Sequence, residues 1–354
     1  MASTAAPRQQ PAAAREKGLR ARRRPLLNRL LSRPELGSLI GAVAVFCVFF
    51  ALAPAFRQGD SFATVLYASS VVGIMAVGVA LLMIGGEFDL SAGVAVVTAA
   101  LVAGMAGYYL NLNVWAAAGI ALAASLAVGL ANGVVLIRTR LPSFLVTLSM
   151  FLMLQGLNTA VTKLVTGSVS GPNIADMDGY ASARAVFASF VPVPGLGDVR
   201  ITVLWWLAFV ALATWVLTRT RVGNWIFAVG GSAESARAVG VPVARVKIGL
   251  FMAVGFFAWF SGMHLLTASG RQQSGEGVGM ELLYIMAAVV GGCLLTGGFG
   301  SVIGAAIGAF IYGMTTMGIV YAGWDNNWVM FFVGAMLLLA VVVNAWVRRQ
   351  AGKR

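Results

Sequence analysis

The chain has 354 residues, of which 59% are hydrophobic and only 10% charged, and it carries a formal net charge of +13 at pH 7. Soluble domains hold roughly 25% charged residues, so the composition excludes a soluble globular protein and points to a polytopic membrane protein. The basic excess gathers in a tail and a few loops; it reads as a topology signal, with no nucleic-acid partner implied.

Residues 1–35 form a basic tail rich in Ala, Arg, Pro and Gln, including RARRRP at 20–25. Within it, residues 1 to about 30 are expected to be disordered or to lie against anionic membrane lipid. Arg23-Arg24 ahead of an apolar run resembles a twin-arginine signal, but further spans follow and make that run an anchor. A helix crossing the hydrocarbon core needs about 20 mostly apolar residues. Ten such runs are read, at 36–55, 61–84, 90–110, 113–137, 142–165, 201–218, 248–268, 280–296, 301–322 and 327–347. The eighth is short and Gly-rich. The expected fold is all-α, with about ten transmembrane helices in a domain over 36–347 and a basic tail at 348–354.

Lys and Arg stay preferentially on the cytoplasmic side. The N-terminal cluster places that end inside, and ten crossings return the C-terminus to the same side. Arg138, Arg140, Arg219, Arg221, Arg237, Arg245 and Lys247 then also fall inside, leaving Arg57, Lys163, Arg184, Arg200 and Arg271 outside. Parity and charge agree. On this topology 166–200 is an outer loop of turns with one short interfacial helix at ASARAVFASF, and 219–247 is an inner loop.

Between the second and third spans lies MIGGEFDLSAGVAV, at 83–96. Gly85 and Gly86 end one helix, Asp89 is placed to cap the next, Ser91 belongs to the same turn, and Gly93 lets another helix approach. Two readings stand: a capped turn at the membrane boundary, or a partly re-entrant junction lining a translocation path. Ser69, Ser70, Gln155 and Asn158 are polar groups within spans, suited either to lining that path or to hydrogen bonding between helices.

The inner loop contains GGSAESARAVGVP, at 230–242. Ser232 suits an N-cap, Glu234 sits in a first turn where the helix dipole favours a carboxylate, Gly240 is a stop, and Pro242 prevents continuation. A helix of about two turns is marginal alone, so it must dock on something. TGGFGSVIGAAIGAF, at 296–310, lacks the spacing of a dinucleotide loop; Gly300, Gly304 and Gly308 instead recur every four residues as a packing face. A weak echo relates Gly85-Gly86 to Gly297-Gly298 and Asn132 to Asn344.

No phosphate-binding loop is present, since the one Gly-Lys pair is Gly352-Lys353, so any nucleotide energy must come from another chain. Acids within spans are scarce, which gives little support to ion coupling. Cys47 and Cys293 suggest neither a disulfide nor a metal site, no cofactor is implied, and His264 reads as a neutral packed imidazole or a proton relay. Clustered nucleophiles and bases are absent, so no catalytic residue is assigned and the chain is not read as an enzyme.

These landmarks occur in one order: GGEFDLSAG at 85–93, LPSFLVTLSMFLMLQGL at 141–157, RTRVGNWIFAVGGSAESARAVGVPVARVK at 219–247 and GGFGSVIGAAIGAF at 297–310. The chain thereby resembles the permease subunits of bacterial ATP-binding-cassette importers of the ribose, xylose and related monosaccharide class, over about 36–347. The resemblance implies a coupling helix at Ser232, Glu234, Ser235, Ala236, Arg237 and Gly240 that docks on an ATPase subunit. It further implies an inner-membrane permease homodimer and a periplasmic or lipid-anchored substrate-binding protein. The docking surface for that protein is the outer loop with the turns near 54–60, 269–280 and 323–327. The family's usual run is like GGIDLSVGS, and Glu87-Phe88 here departs from it, adding a carboxylate. A polyol, a modified sugar or another small polar solute therefore stays open beside a monosaccharide, and an ion-coupled secondary transporter is the alternative mechanism.

Overall fold

The structure is a computed structural model that describes the backbone of residues 34–352 and the side chains of 35–342. The expectations for the N-terminal tail before residue 34, for the last two residues and for the side chain of Asn344 lie outside the described residues.

All ten apolar runs appear as helices. In chain order they are α1 (Pro34–Leu52), α2 (Gly59–Ile84), α3 (Ala92–Tyr109), α4 (Val114–Thr139), α5 (Ser143–Thr166), α7 (Ile201–Arg219), α10 (Val243–Ser269), α11 (Met280–Val290), α12 (Val302–Tyr321) and α13 (Trp328–Gly352). Three shorter helices join them: α6 (Tyr180–Phe187), α8 (Arg221–Gly231) and α9 (Ala233–Ala238). Among the described residues eight helices are long and apolar enough to cross a membrane; α11 and the described apolar part of α13 are shorter.

The centre of the bundle is α2 and α3, whose side chains are mostly buried, including Met75, Leu82, Met83 and Leu101. Helix α1, α5 and α7 lie at the periphery and turn large apolar side chains such as Leu152, Met153 and Leu207 outward, as helices facing lipid do. The tightest pairings are α10 with α4 and α12 with α2. Small residues make the first possible: Cβ atoms added at Gly129 and Gly133 would fall within 3 Å of α10 backbone at Met252 and Ile248.

Three expectations are corrected. The eighth run does not continue to 296, because α11 stops at Val290, where Gly291 and then Gly292 at φ +92° close it. Its 11 residues reach only about 16 Å at 1.5 Å per residue, half a bilayer core. The segment 219–247 holds the expected short helix as α9, but α8 fills its first part and α10 begins at Val243, so Arg245 and Lys247 are helical. Hydropathy marks the apolar part of a helix, and these basic first turns extend past it. The segment 166–200 holds, besides α6, an antiparallel hairpin of β1 (Phe190–Val193) and β2 (Gly197–Arg200), with Phe190 opposite Arg200 and Pro192 opposite Asp198.

Candidate functional site

Helix α9 has the anatomy its sequence dictates. Ser232 is the N-cap and its Oγ accepts the Ser235 N–H at 3.2 Å. Glu234 lies in the first turn and Arg237 in the last. Gly240 adopts φ +85°, with its N–H donated to Arg237 O and the next N–H, of Val241, to Ala236 O, both at 3.0 Å. This is the left-handed glycine closure of a helix C-terminus. Ala236 packs inward, while Glu234, Ser235, Arg237 and the apolar Val239, 79% exposed, face out.

Helix α8 precedes it and was not anticipated. Thr220 caps it, accepting the Gly223 N–H at 3.2 Å, and Ile226 and Val229 are buried beneath it. Its penultimate residue, Gly230, meets the junction at 85–91. Gly230 lies against Gly86, so that a Cβ at Gly86 would be 3.2 Å from the Gly230 Cα, and Gly86 itself holds φ +85°. Gly297 and Gly298 close the same seam from the loop after α11, with the Gly298 N–H donated to Ile84 O at 2.9 Å. The echo between the glycine pairs takes a different form from the expected one. The pair that matches Gly85-Gly86 in conformation is Gly291-Gly292: both end a helix with an αR then a left-handed glycine and with the same pattern of hydrogen bonds. Gly297 is instead in contact with Gly86.

Two backbone donors of the junction between α2 and α3 are taken by α5. Ser143 Oγ accepts the Phe88 N–H and Thr147 Oγ1 the Leu90 N–H, each at 3.1 Å. These hydroxyls are four residues apart and share one helix face. Buried Asp89 does not cap α3 as expected. The N-cap position is Ser91, and the carboxylate sits two residues upstream, where Oδ1 accepts the Ser91 N–H at 2.8 Å and the Ser91 hydroxyl. Asn132 of α4 donates from Nδ2 to Ser91 Oγ at 3.0 Å. The neighbouring Glu87 pairs with Lys247, in the first turns of α10. At the start of α3, Gly93 stacks on Gly277, next to the N-terminus of α11.

The four polar span residues are placed as follows. Ser69 is fully buried against Gly313 of α12 and bonds its own helix at Val65 O; Ser70 donates to Tyr67 O and to Thr202 Oγ1 of α7. Asn158 accepts from Thr98 Oγ1 at 3.0 Å and donates to Val94 O. Gln155 is half-buried on α5. Ser70 and Asn158 thus hydrogen-bond between helices, whereas Ser69 bonds within its own helix. Gly304 and Gly308 of α12 lie against Gly291 and Ala287, whereas Gly300, at φ +158°, precedes the helix and touches Cys293. His264 is buried, with Nδ1 2.8 Å from Phe187 O and Nε2 3.2 Å from the Tyr67 hydroxyl. A carbonyl only accepts, so an imidazole with its proton on Nδ1 satisfies both partners.

At the end of the bundle carrying α6, the segments 166–200 and 269–280 are joined by hydrogen bonds: Gly171 N–H to Gln272 O, Ile174 N–H to Gly270 O and Ser274 N–H to Val169 O. The hairpin and the start of α2 enclose a cleft of about 620 Å³ containing Asp60, Tyr67, Asp198 and Arg200. Arg200 is held over the rings of Phe190 and Tyr67.

Residues 61–341 match a family model described as branched-chain amino acid transport system / permease component. The chain is 32% identical over 312 residues to the ribose import permease protein of Escherichia coli (strain K12), covering 88% of this chain and 93% of the relative. It is 32% identical over 311 residues to the galactose/methyl galactoside import permease protein of Haemophilus influenzae, covering 84% and 90%. To the fructose import permease protein of Rhizobium meliloti it is 27% identical over 287 residues, covering 81% and 78%.

Proposed function

The chain belongs to the branched-chain amino acid transport system / permease component family, and from that premise we propose that it is the permease subunit that passes a monosaccharide or similar small polar solute into the cytoplasm. Two copies form the channel in the inner membrane, an ATP-binding-cassette ATPase subunit supplies the energy, and a periplasmic or lipid-anchored binding protein delivers the solute. The observation that carries this reading is the end-to-end similarity to import permeases for ribose, galactose and fructose. An ion-coupled transporter is not favoured.

Helix α9 suits the coupling role because it is short, capped at both ends by its own residues, anchored through Ala236 and exposed at Glu234, Arg237 and Val239. On this reading α8, α9 and both termini are cytoplasmic, and the cleft at Asp60 and Arg200 faces the binding protein. Asp60 at the start of α2, with Asp198 and the aromatic-held Arg200 guanidinium on the hairpin, offers polar contacts there.

The test is to purify the permease with its co-encoded ATPase and binding protein, reconstitute the complex in vesicles and compare uptake of labelled pentoses and hexoses with and without ATP. Gly240→Val forces a β-branched residue into a left-handed conformation at roughly 1–2 kcal/mol, and Glu234→Lys reverses a favourable dipole contact of about 0.3–1 kcal/mol. Both variants are expected to insert normally yet lose co-purifying ATPase or solute-stimulated hydrolysis, while Ala181→Cys on the opposite face does not. Uptake that follows an ion gradient and ignores ATP overturns the reading.

A further inference from the structure

The ion pair of Glu87 and Lys247 joins the two parts of the molecule that an ATP-driven cycle would have to connect. Lys247 stands in the first turns of α10, just beyond the Gly240 closure of α9, and the turn that joins the two helices is itself hydrogen-bonded: Val241 N–H to Ala236 O, Val243 N–H to Val241 O and Val246 N–H to Pro242 O. Glu87 follows Gly86 at the end of α2, and its side chain is 9% exposed against 17% for Lys247. The residue before Glu87 touches Gly230 at the end of α8. The segment from 221 to 247, made of α8, α9 and the start of α10, therefore meets the span junction twice, at consecutive junction residues: by backbone contact at Gly86 and by charge at Glu87.

We infer that Glu87 and Lys247 are positioning residues that transmit displacement of the α8–α9 segment to the span junction at 85–93, and through it to α2 and α3 at the core of the bundle. The inference rests on the proposed coupling role of α9. The contact of Gly230 with Gly86 is a backbone van der Waals contact, which transmits a push but resists separation weakly. A poorly solvated ion pair also resists separation, since parting it leaves charges without compensation. The seam and the pair together let the segment drive the junction in both directions. Rigid transmission also requires that the junction move as a body, which its side-chain clamp on Ser143 and Thr147 and the Asp89–Ser91–Asn132 network provide. Glu87 departs from the family run at the very position where this contact is made.

The test uses the reconstituted complex with binding protein and reads solute transported per ATP hydrolysed, together with ATPase co-purification. The variants are Glu87→Lys, Lys247→Glu and the exchanged pair carrying both. Each single variant is expected to keep the ATPase bound and hydrolysing but to lower the transport-to-hydrolysis ratio by about fivefold or more, the lower end of coupling between distinct sites. The exchanged pair is expected to recover to within about twofold of the unaltered ratio. Single variants with an unaltered ratio overturn the inference, as does an exchanged pair no better than either single. If the single variants fail to assemble and the exchange restores assembly, the pair is a folding staple and the inference is equally overturned. In each of these cases Gly240→Val, run alongside, still reports on the coupling role of α9 itself.

Discussion

Gly298 donates its backbone N–H to the carbonyl of Ile84 at 2.9 Å, so the loop that follows the half-length α11 closes directly on the last residue of α2. Gly231 stands on the other side of Gly298: a Cβ added to Gly298 would lie 2.7 Å from the Gly231 Cα, and Gly298 already has φ +73°. A Cβ on Gly231 meets nothing within 4 Å. The two neighbours should therefore respond differently to one methyl group. Gly298→Ala is expected to cost about 1–2 kcal/mol from its backbone conformation and a further ~1–3 kcal/mol from overpacking. It should lower the apparent unfolding midpoint in detergent. Gly231→Ala should leave that midpoint close to the unaltered protein. Equal responses would mean that the seam is not packed as described.

The clamp of α5 on the junction gives a second contrast. Ser143→Ala and Thr147→Val remove the acceptors of the Phe88 and Leu90 N–H groups while conserving most of the side-chain volume. An unsatisfied buried donor costs about 1–3 kcal/mol, more than the net worth of the hydrogen bond. Each substitution should lower thermal stability by that order. Ser149→Ala on the same helix, where the hydroxyl is exposed and bonds only Leu145 O, should not. Melting curves of the three purified variants decide the matter.

How much of this was legible in the sequence follows from which interactions are local. The ten helices, the Ser232 cap and the Gly240 closure depend on residues within one turn or on hydropathy over a window, and each was readable. The boundaries that failed were set by something else: α11 ends at a glycine pair inside an apolar run, and α10 starts at a basic turn outside one. Contacts between distant segments left no trace in the pattern. Nothing in LPSFLVT announces that Ser143 and Thr147 face Phe88 and Leu90, and Glu87 could be seen as an added carboxylate but not matched to Lys247. The hairpin at 190–200 was hidden by Pro192 and Pro194, which lower strand propensity even though the strands are short and isolated.

Topology offers a prediction independent of any partner. Ala181 of α6 and Ala238 of α9 are both exposed, and the proposed topology, drawn from the charge distribution, would have them on opposite sides of the membrane. With Cys47 and Cys293 replaced, Ala181→Cys should react with an impermeant thiol reagent in cells whose outer barrier is opened, and Ala238→Cys only after the inner membrane is lysed. Reaction of both without lysis would remove the ten-crossing arrangement and the cytoplasmic placement of α9 with it.

Asp89 separates the role of a hydrogen-bond acceptor from that of a charge. Its Oδ1 takes two donors from Ser91, the backbone N–H and the hydroxyl, and Ser91 Oγ in turn receives Asn132 Nδ2. Asp89→Asn keeps an oxygen of the same shape in the same place, so both Ser91 donors retain their acceptor and only the negative charge near the start of α3 is lost, worth about 0.3–1 kcal/mol against the helix dipole. Asp89→Ala removes the acceptor altogether and leaves two donors unsatisfied among residues with almost no exposure. Its cost should be about 1–3 kcal/mol for each orphaned group, felt as a lower unfolding midpoint and a lower yield of folded protein. The expected order is therefore unaltered protein, then Asp89→Asn slightly below it, then Asp89→Ala well below both, measured as thermal midpoints in one detergent. If Asp89→Asn falls as far as Asp89→Ala, the charge and not the acceptor holds the turn. If Asp89→Asn keeps its stability but loses solute uptake in vesicles, the carboxylate serves transport directly and its bonds to Ser91 are secondary.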